Sequence, residues 1–175
     1  MKAGGIMDAI EITDMAGATV EHSMVIVNFV ATVKAQLKNS LCHVFSDNVQ
    51  YKWNIGKENE KTVIPDASIN CQIKGRRGSS FINAPQFVME VVSPSTEKYD
   101  RGEKKDLYRE QEINEYWIVD WKQKLVEIYI LDYNEADQPE YYLFEKITKE
   151  NKEKLKLVYF PNIKITFDEL FEDIE

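Results

Sequence analysis

The run "QFVMEVV", residues 86–92, is apolar on both faces of an extended chain and stops at Ser93-Pro94. A strand of this kind has to be covered from above and below, so it belongs at the centre of a sheet rather than at a half-wet edge. Proline has no N–H to give to a ladder, which suits the end of such a strand. Within this run stands Glu90, a carboxylate on the same strand face as Val88 and Val92. Burying an ionised carboxylate alone costs several kcal/mol or forces it to take up a proton.

The flanking segments supply the layers. In "VEHSMVIVNFVATVKAQLKNS", His22, Val25, Ile26, Phe29, Val30, Val33 and Leu37 recur at spacings of three and four, the pattern of an amphipathic helix. "CHVFSDNVQYKW" and "TVIPDASINCQI" each read as a strand, and the second alternates Ala67, Ile69, Cys71 and Ile73 with Asp66, Ser68, Asn70 and Gln72. "NIGKENEK" and "KGRRGSSFINAP" read as connections. Beyond Pro94, Ser95 or Thr96 can cap a helix over "EKYDRGEKKDLYREQ", and "EYWIVDW" follows as an aromatic strand. "KLVEIYIL", "EYYLFEKI" and "LKLVYF" suggest further antiparallel strands, and "ITFDELFEDI" a short closing helix. The order predicts a mixed α/β (α+β) fold with helices flanking a central mixed sheet and additional C-terminal antiparallel strands.

At 175 residues, with 43% hydrophobic and 11% aromatic content, the chain can bury one substantial core. A polar leader over residues 1–19 and one domain over residues 20–175 are expected. The net charge of −8 gives no general attraction to polyanions, so nucleic acid would have to be met by a local basic patch. No apolar run reaches membrane-spanning length and the first residues lack a signal-peptide pattern, so no membrane association and a cytoplasmic location are expected. Cys42 and Cys71, each read as part of a strand, with only His22 and His43 as companions, do not make a zinc motif or a disulfide framework. Buried reduced thiols are the expectation.

Glu90 has two readings: a structural acid paired with a buried Arg or Lys, or one of a group of metal-binding carboxylates. Asp66, after Pro65, is far enough upstream for a strand, a turn and a return, so the two acids can converge. Two such carboxylates repel unless a divalent cation lies between them, and hard oxygen donors suit Mg²⁺ or Mn²⁺. Lys104 shares a helical stripe with Asp100, Leu107, Tyr108 and Gln111, while Lys105 turns away with Arg101. It can snorkel or pair with Asp100 four residues back. Beside metal-bound carboxylates it could instead orient an attacking water and neutralise charge on phosphorus.

"VIPD", "FVMEVVSPST", "YDRGEKKDLY" and "EYWIVD", in this order, resemble the Uma-two family, a branch of the PD-(D/E)XK nuclease superfamily. The resemblance covers roughly residues 20 to 131. It implies a restriction-endonuclease-like core and an Mg²⁺- or Mn²⁺-dependent endonuclease that hydrolyses DNA, with Asp66 as the motif aspartate and Glu90 as the motif acid. Where the superfamily carries its lysine, two residues after the acid, this chain has Val92; the resemblance points to Lys104 as the migrated lysine. Glu21 resembles the accessory acid that some members add to the metal site. Glu112-Ile113-Asn114 stands where a glycine-containing turn is common, and the tail after Leu131 carries no assignable motif.

Lys74, Arg76 and Arg77, with Arg101 and Lys105 on the helix, are candidates for DNA contacts, although a short basic run is equally often a solvated turn. "GRRGSS" lacks the spacing and the terminal Lys-Ser/Thr of a P-loop, and Ser93-Pro94-Ser95 is not a nucleophile elbow. Tyr116, Trp117 and Ile118 fit a packed strand better than a stacking platform. Asp120, at the end of that strand, fits either a structural role or one supporting the site residues from behind. Nucleases that cut both strands are commonly symmetric dimers, which makes a homodimer an expectation. A catalytically inactive nuclease fold serving as a nucleic-acid-binding or protein-interaction module is the alternative.

Overall fold

The computed structural model describes residues 18–175; the leader expected over residues 1–19 lies almost entirely outside them. The chain opens with α1 (Val20–Gln36), whose N-cap Thr19 accepts a hydrogen bond from the His22 N–H. Val25, Ile26, Phe29 and Val33 form its buried stripe, as the spacing predicts. Each such side chain removed from water contributes roughly 1.5–3 kcal/mol.

The strands follow as β1 (His43–Phe45), β2 (Tyr51–Trp53), β3 (Lys61–Val63), β4 (Ala67–Asn70), β5 (Arg76–Arg77), β6 (Ser80–Phe81) and β7 (Phe87–Val92). After α2 (Glu97–Arg101) and α3 (Glu103–Glu110) come β8 (Glu115–Asp120), β9 (Leu125–Tyr133) and β10 (Pro139–Ile147), a 3₁₀ segment (Lys149–Lys154) and α4 (Phe167–Leu170). Six strands form the main sheet in the order β1-β4-β7-β8-β9-β10, with β7 and β8 parallel and every other pair antiparallel. Four form a small second sheet in the order β3-β2-β6-β5.

β7 is buried along its whole length, as its two apolar faces require. Phe87, Met89 and Val91 pack with α1 and the C-terminal segment, whereas Val88 and Val92 pack with the small sheet and α3. The central sheet is thus covered on both sides. Tyr116, Trp117 and Ile118 of β8 are core residues, 0–1% exposed.

Several local expectations are corrected. "CHVFSDNVQYKW" is two strands, β1 and β2, in different sheets, and "TVIPDASINCQI" divides into β3 and β4 around Pro65. A proline cannot donate to a ladder, so the chain leaves one sheet there and enters the other. "KGRRGSSFINAP" contains the β5–β6 hairpin. "LKLVYF" is not a strand: Leu155 and Leu157 pack into the core from irregular chain. The helix after Pro94 breaks at Gly102 into α2 and α3; a Cβ there would come within 3.0 Å of the Lys98 carbonyl oxygen. The glycine-less turn before β8 is closed by Glu112 itself at φ 55°, with the Ile113 N–H reaching back to the Tyr108 carbonyl to end α3.

Cys42 and Cys71 are disulfide-bonded, which overturns the reading of both as reduced thiols. Each lies one residue outside its strand rather than within it. β1 and β4 pair with His43 opposite Asn70, so one step further along the ladder the two cysteines face each other. This register could not be read from cysteine spacing alone.

The tail after Leu131 completes the fold. Glu115, fully buried, accepts hydrogen bonds from the Trp117 indole at 2.7 Å and from the Val158 and Tyr159 N–H groups at 3.0 and 2.7 Å. The C-terminal segment is thereby latched to β8, and Leu155, Leu157, Ile163, Ile165, Phe167 and Leu170 extend the core on the α1 side.

Candidate active site

The strand period sends Glu90 to the same side as Val88 and Val92, toward α3. Its side chain is 1% exposed. Lys104 of α3 brings Nζ to 3.0 Å from Glu90 Oε2 and to 3.2 Å from Oδ1 of the buried Asp100. Tyr108, one turn further on, donates its hydroxyl to Glu90 Oε1 at 2.5 Å. Lys104 thus pairs with Asp100 four residues back, one of the readings from the sequence, and it also reaches the strand acid. The break at Gly102 lets α2 and α3 place Asp100 and Lys104 on one side although the helix is not continuous.

Asp66 stands one residue before β4. The β4–β7 ladder reaches only to Ala67 opposite Met89, and Asp66 continues it with its side chain, Oδ2 accepting the Val91 N–H at 2.7 Å. The same oxygen lies 3.2 Å from Nε2 of His22 on α1. Both hydrogen bonds fall on Oδ2, and among the described residues none falls on Oδ1.

Burial pushes the Glu90 carboxyl up to about 8; Lys104 and the Tyr108 hydroxyl oppose this, and Asp66 and Asp100 reinforce it. Burial also raises Asp100, against the pull of Lys104. For Lys104 burial works against the charged form, but Glu90 and Asp100 outweigh it and the ammonium persists. Tyr108 is held well above the ordinary phenol range by burial and by Glu90, so it remains a donor. His22 follows the Lys104 pattern: burial lowers it, and the hydrogen bond and charge of Asp66, with Asp47 and Asp100, leave it raised overall.

The donor chemistry fits a hard divalent cation. Glu90, Asp100 and Asp66 are oxygen donors of the kind such a cation takes, Lys104 pairs with the first two and His22 with the third, and among the described residues Asp66 Oδ1 has no hydrogen-bond partner. Among the described residues no group of three or more His, Cys, Asp or Glu side chains is arranged to hold a metal ion. The protein's share would be Asp66 and Glu90, with water and substrate completing the shell.

The other expected site residues are dispersed. Glu21 enters no ion pair or side-chain hydrogen bond among the described residues; its neighbour His22 is the residue that α1 sends to Asp66. Lys74, Arg76 and Arg77 lie exposed on and before the β5–β6 hairpin, with Arg76 held by the Ile73 carbonyl at 2.8 Å and by the Phe81 ring. Arg101 is engaged by Glu97 and Glu127. Lys105 does not point freely to solvent, since its ammonium lies 3.7 Å from the centre of the Tyr129 ring. Asp120 accepts the Gln123 N–H at 2.9 Å and closes the β8–β9 turn.

His22, a stripe residue that from the sequence can pack or make one hydrogen bond, makes its bond to Asp66 and so joins the cluster. Its signal was present, because it shares the α1 stripe with Val25, Ile26 and Phe29, where a polar residue needs a partner. What the sequence did not contain was the partner, 44 residues away.

Comparison with known proteins agrees with this architecture. A solved structure described as "a putative nuclease belonging to DUF820" from Anabaena variabilis superposes with a TM-score of 0.64 at 15% identity, covering 88% of this chain and 82% of that one. At that identity the likeness is one of fold. An uncharacterised protein of Synechocystis sp. is 31% identical over 140 residues, 74% of this chain and 72% of its own length. The family profile described as "Uma2: Putative restriction endonuclease" matches residues 10–168, so the tail after Leu131 falls within the family's extent as far as Asp168. The chain belongs to the Uma2 family, with a nuclease-type, restriction-endonuclease-like fold.

Proposed function

We propose that this chain is an Mg²⁺- or Mn²⁺-dependent endonuclease that hydrolyses DNA phosphodiester bonds, with Asp66 and Glu90 as the cation's ligands and Lys104 as the catalytic cation. The observation that carries this reading is the meeting of Lys104 with Glu90 at 3.0 Å, a helix lysine and a central-strand acid brought together in a family of nuclease type. A divalent cation held there would polarise the phosphoryl oxygens and acidify a water. The chain's own residues prepare the site. Tyr108 and Lys104 hold the two oxygens of Glu90, the Val91 N–H holds Asp66, and Asp100 keeps the ammonium in place and charged. Freed from Glu90 by the cation, Lys104 would stand ready to orient water and balance charge at phosphorus.

In this reading the small sheet would face the DNA. Residues 48–82 carry six basic side chains, Lys52, Lys57, Lys61, Lys74, Arg76 and Arg77, against Glu58, Glu60 and Asp66, in a chain whose net charge is −8. This sheet adjoins the cluster, since Trp53 packs edge-on against Tyr108 at 6.3 Å. Lys74, Arg76 and Arg77 would contact phosphates here, and a second copy of the chain would be needed to cut both strands. Arg101 and Lys105, already engaged, would contribute less.

The test is titration calorimetry with Mn²⁺ on wild type and Asp66→Ala, followed by cleavage of plasmid DNA. Expected are millimolar or tighter binding by wild type, its loss in the variant, and strand cutting only with the cation. Equal binding by the two proteins would refute the site. The Glu90–Lys104 pair is closed and the overall charge acidic, which favours a second reading, a silent nuclease-fold binding module. Salt-dependent retention of DNA without cutting would select it.

A further inference from the structure

We infer that His22 is a positioning residue of this site: its imidazole fixes the Asp66 carboxylate in the orientation that presents Oδ1 to a divalent cation. The inference rests on the reading of Asp66 as a ligand and assigns α1 a part in the site that the expected Glu21 does not fill.

Three observations carry it. First, His22 is held from its own side. The Thr19 hydroxyl caps its backbone N–H at 3.2 Å, and Val25, Ile26, Phe29 and Val33 anchor the helix on the sheet, so the ring arrives at Asp66 on a rigid element. Second, Nε2 and the Val91 N–H, from a helix and from the central strand, meet the same oxygen, at 3.2 and 2.7 Å. One donor would still let the carboxylate swing about its Cβ–Cγ bond. Two donors converging from different elements define which oxygen they hold, and thereby which one is left. Hydrogen bonds of this kind to ligating carboxylates set both the orientation and the affinity of metal sites.

Third, among the described residues Nδ1 of His22 is buried without a hydrogen-bond partner. A histidine kept only for packing normally has both ring nitrogens satisfied or one in water. Here the placement of the ring follows the demand of Asp66 and leaves the other nitrogen unserved. The contact also requires the proton on Nε2, which makes the imidazole the donor and Asp66 the acceptor.

The alternative is a plain structural tie between α1 and β4. Two amides separate the possibilities, because the glutamine side-chain nitrogen falls near the histidine Nε2 position whereas the asparagine nitrogen falls near Nδ1. His22→Gln, His22→Asn and His22→Leu are compared with wild type by Mn²⁺ calorimetry, with urea unfolding in EDTA as the control for folding. A positioning role predicts a 10- to 100-fold weaker Mn²⁺ affinity in the Asn and Leu variants, roughly the scale for lost outer-shell partners. It predicts affinity within a few-fold of wild type for Gln, and no matching order in the urea midpoints. The Asn and Gln pair decides the matter even where Leu does not fold. Wild-type affinity in the folded Asn variant overturns the positioning role alone. Mn²⁺ binding that is absent from wild type, or unchanged in Asp66→Ala, overturns the two-carboxylate site and this role with it.

Discussion

Replacing Glu90 by glutamine isolates the energetic consequence of burying this acid. The folded protein holds the Glu90 proton to about 8, while the unfolded chain releases it near the ordinary 4.5. Between those values the native state binds more protons than the unfolded one, so stability falls as pH rises. Glu90's contribution is complete below about 4.5 and lost as pH climbs through about 8. Linkage over this window gives about 3–4 kcal/mol between pH 5 and pH 8. Glutamine keeps an oxygen for the Tyr108 hydroxyl but does not titrate. Asp100, Glu115 and His22, all raised, contribute slopes of the same sign to both proteins and largely cancel in the difference. Urea unfolding of both proteins in EDTA at pH 5, 6, 7 and 8 should show wild type losing about 3–4 kcal/mol relative to Glu90→Gln. Parallel stability profiles for the two proteins, or a wild type that gains on the variant with rising pH, would refute the burial argument.

Lys104→Ala should lower single-turnover cleavage by roughly 10²- to 10⁴-fold while Mn²⁺ binding survives. Lys105→Ala, which removes the contact with Tyr129, should leave the rate constant nearly unchanged; equal losses in two folded variants would remove Lys104 from the mechanism. Reducing the Cys42–Cys71 disulfide releases a loop of sequence separation 29, and the chain-entropy relation then gives a loss of about 3–4 kcal/mol. Urea melts with and without dithiothreitol measure it, and a double Cys→Ser variant insensitive to the reductant is the control.

Local pattern alone determined much of this protein. The two-sided apolarity of residues 86–92 requires a covered central strand, the spacing from His22 to Leu37 makes a helix, and the stripe through Asp100, Lys104, Leu107 and Tyr108 selects the lysine that turns inward. These features are written in periods of two and 3.6 residues and survive without knowledge of what packs against them. Tertiary structure decided what depends on partners distant in the chain. It divided one apparent strand at Pro65 between two sheets and set Cys42 opposite Cys71 through the β1–β4 register. It also sent Val158 and Tyr159 back to Glu115, and brought His22 rather than Glu21 to Asp66. In each case the deciding quantity is a non-local register or helix rotation. Periodicity defines a face; only packing against the opposite element defines which residue of that face makes the contact.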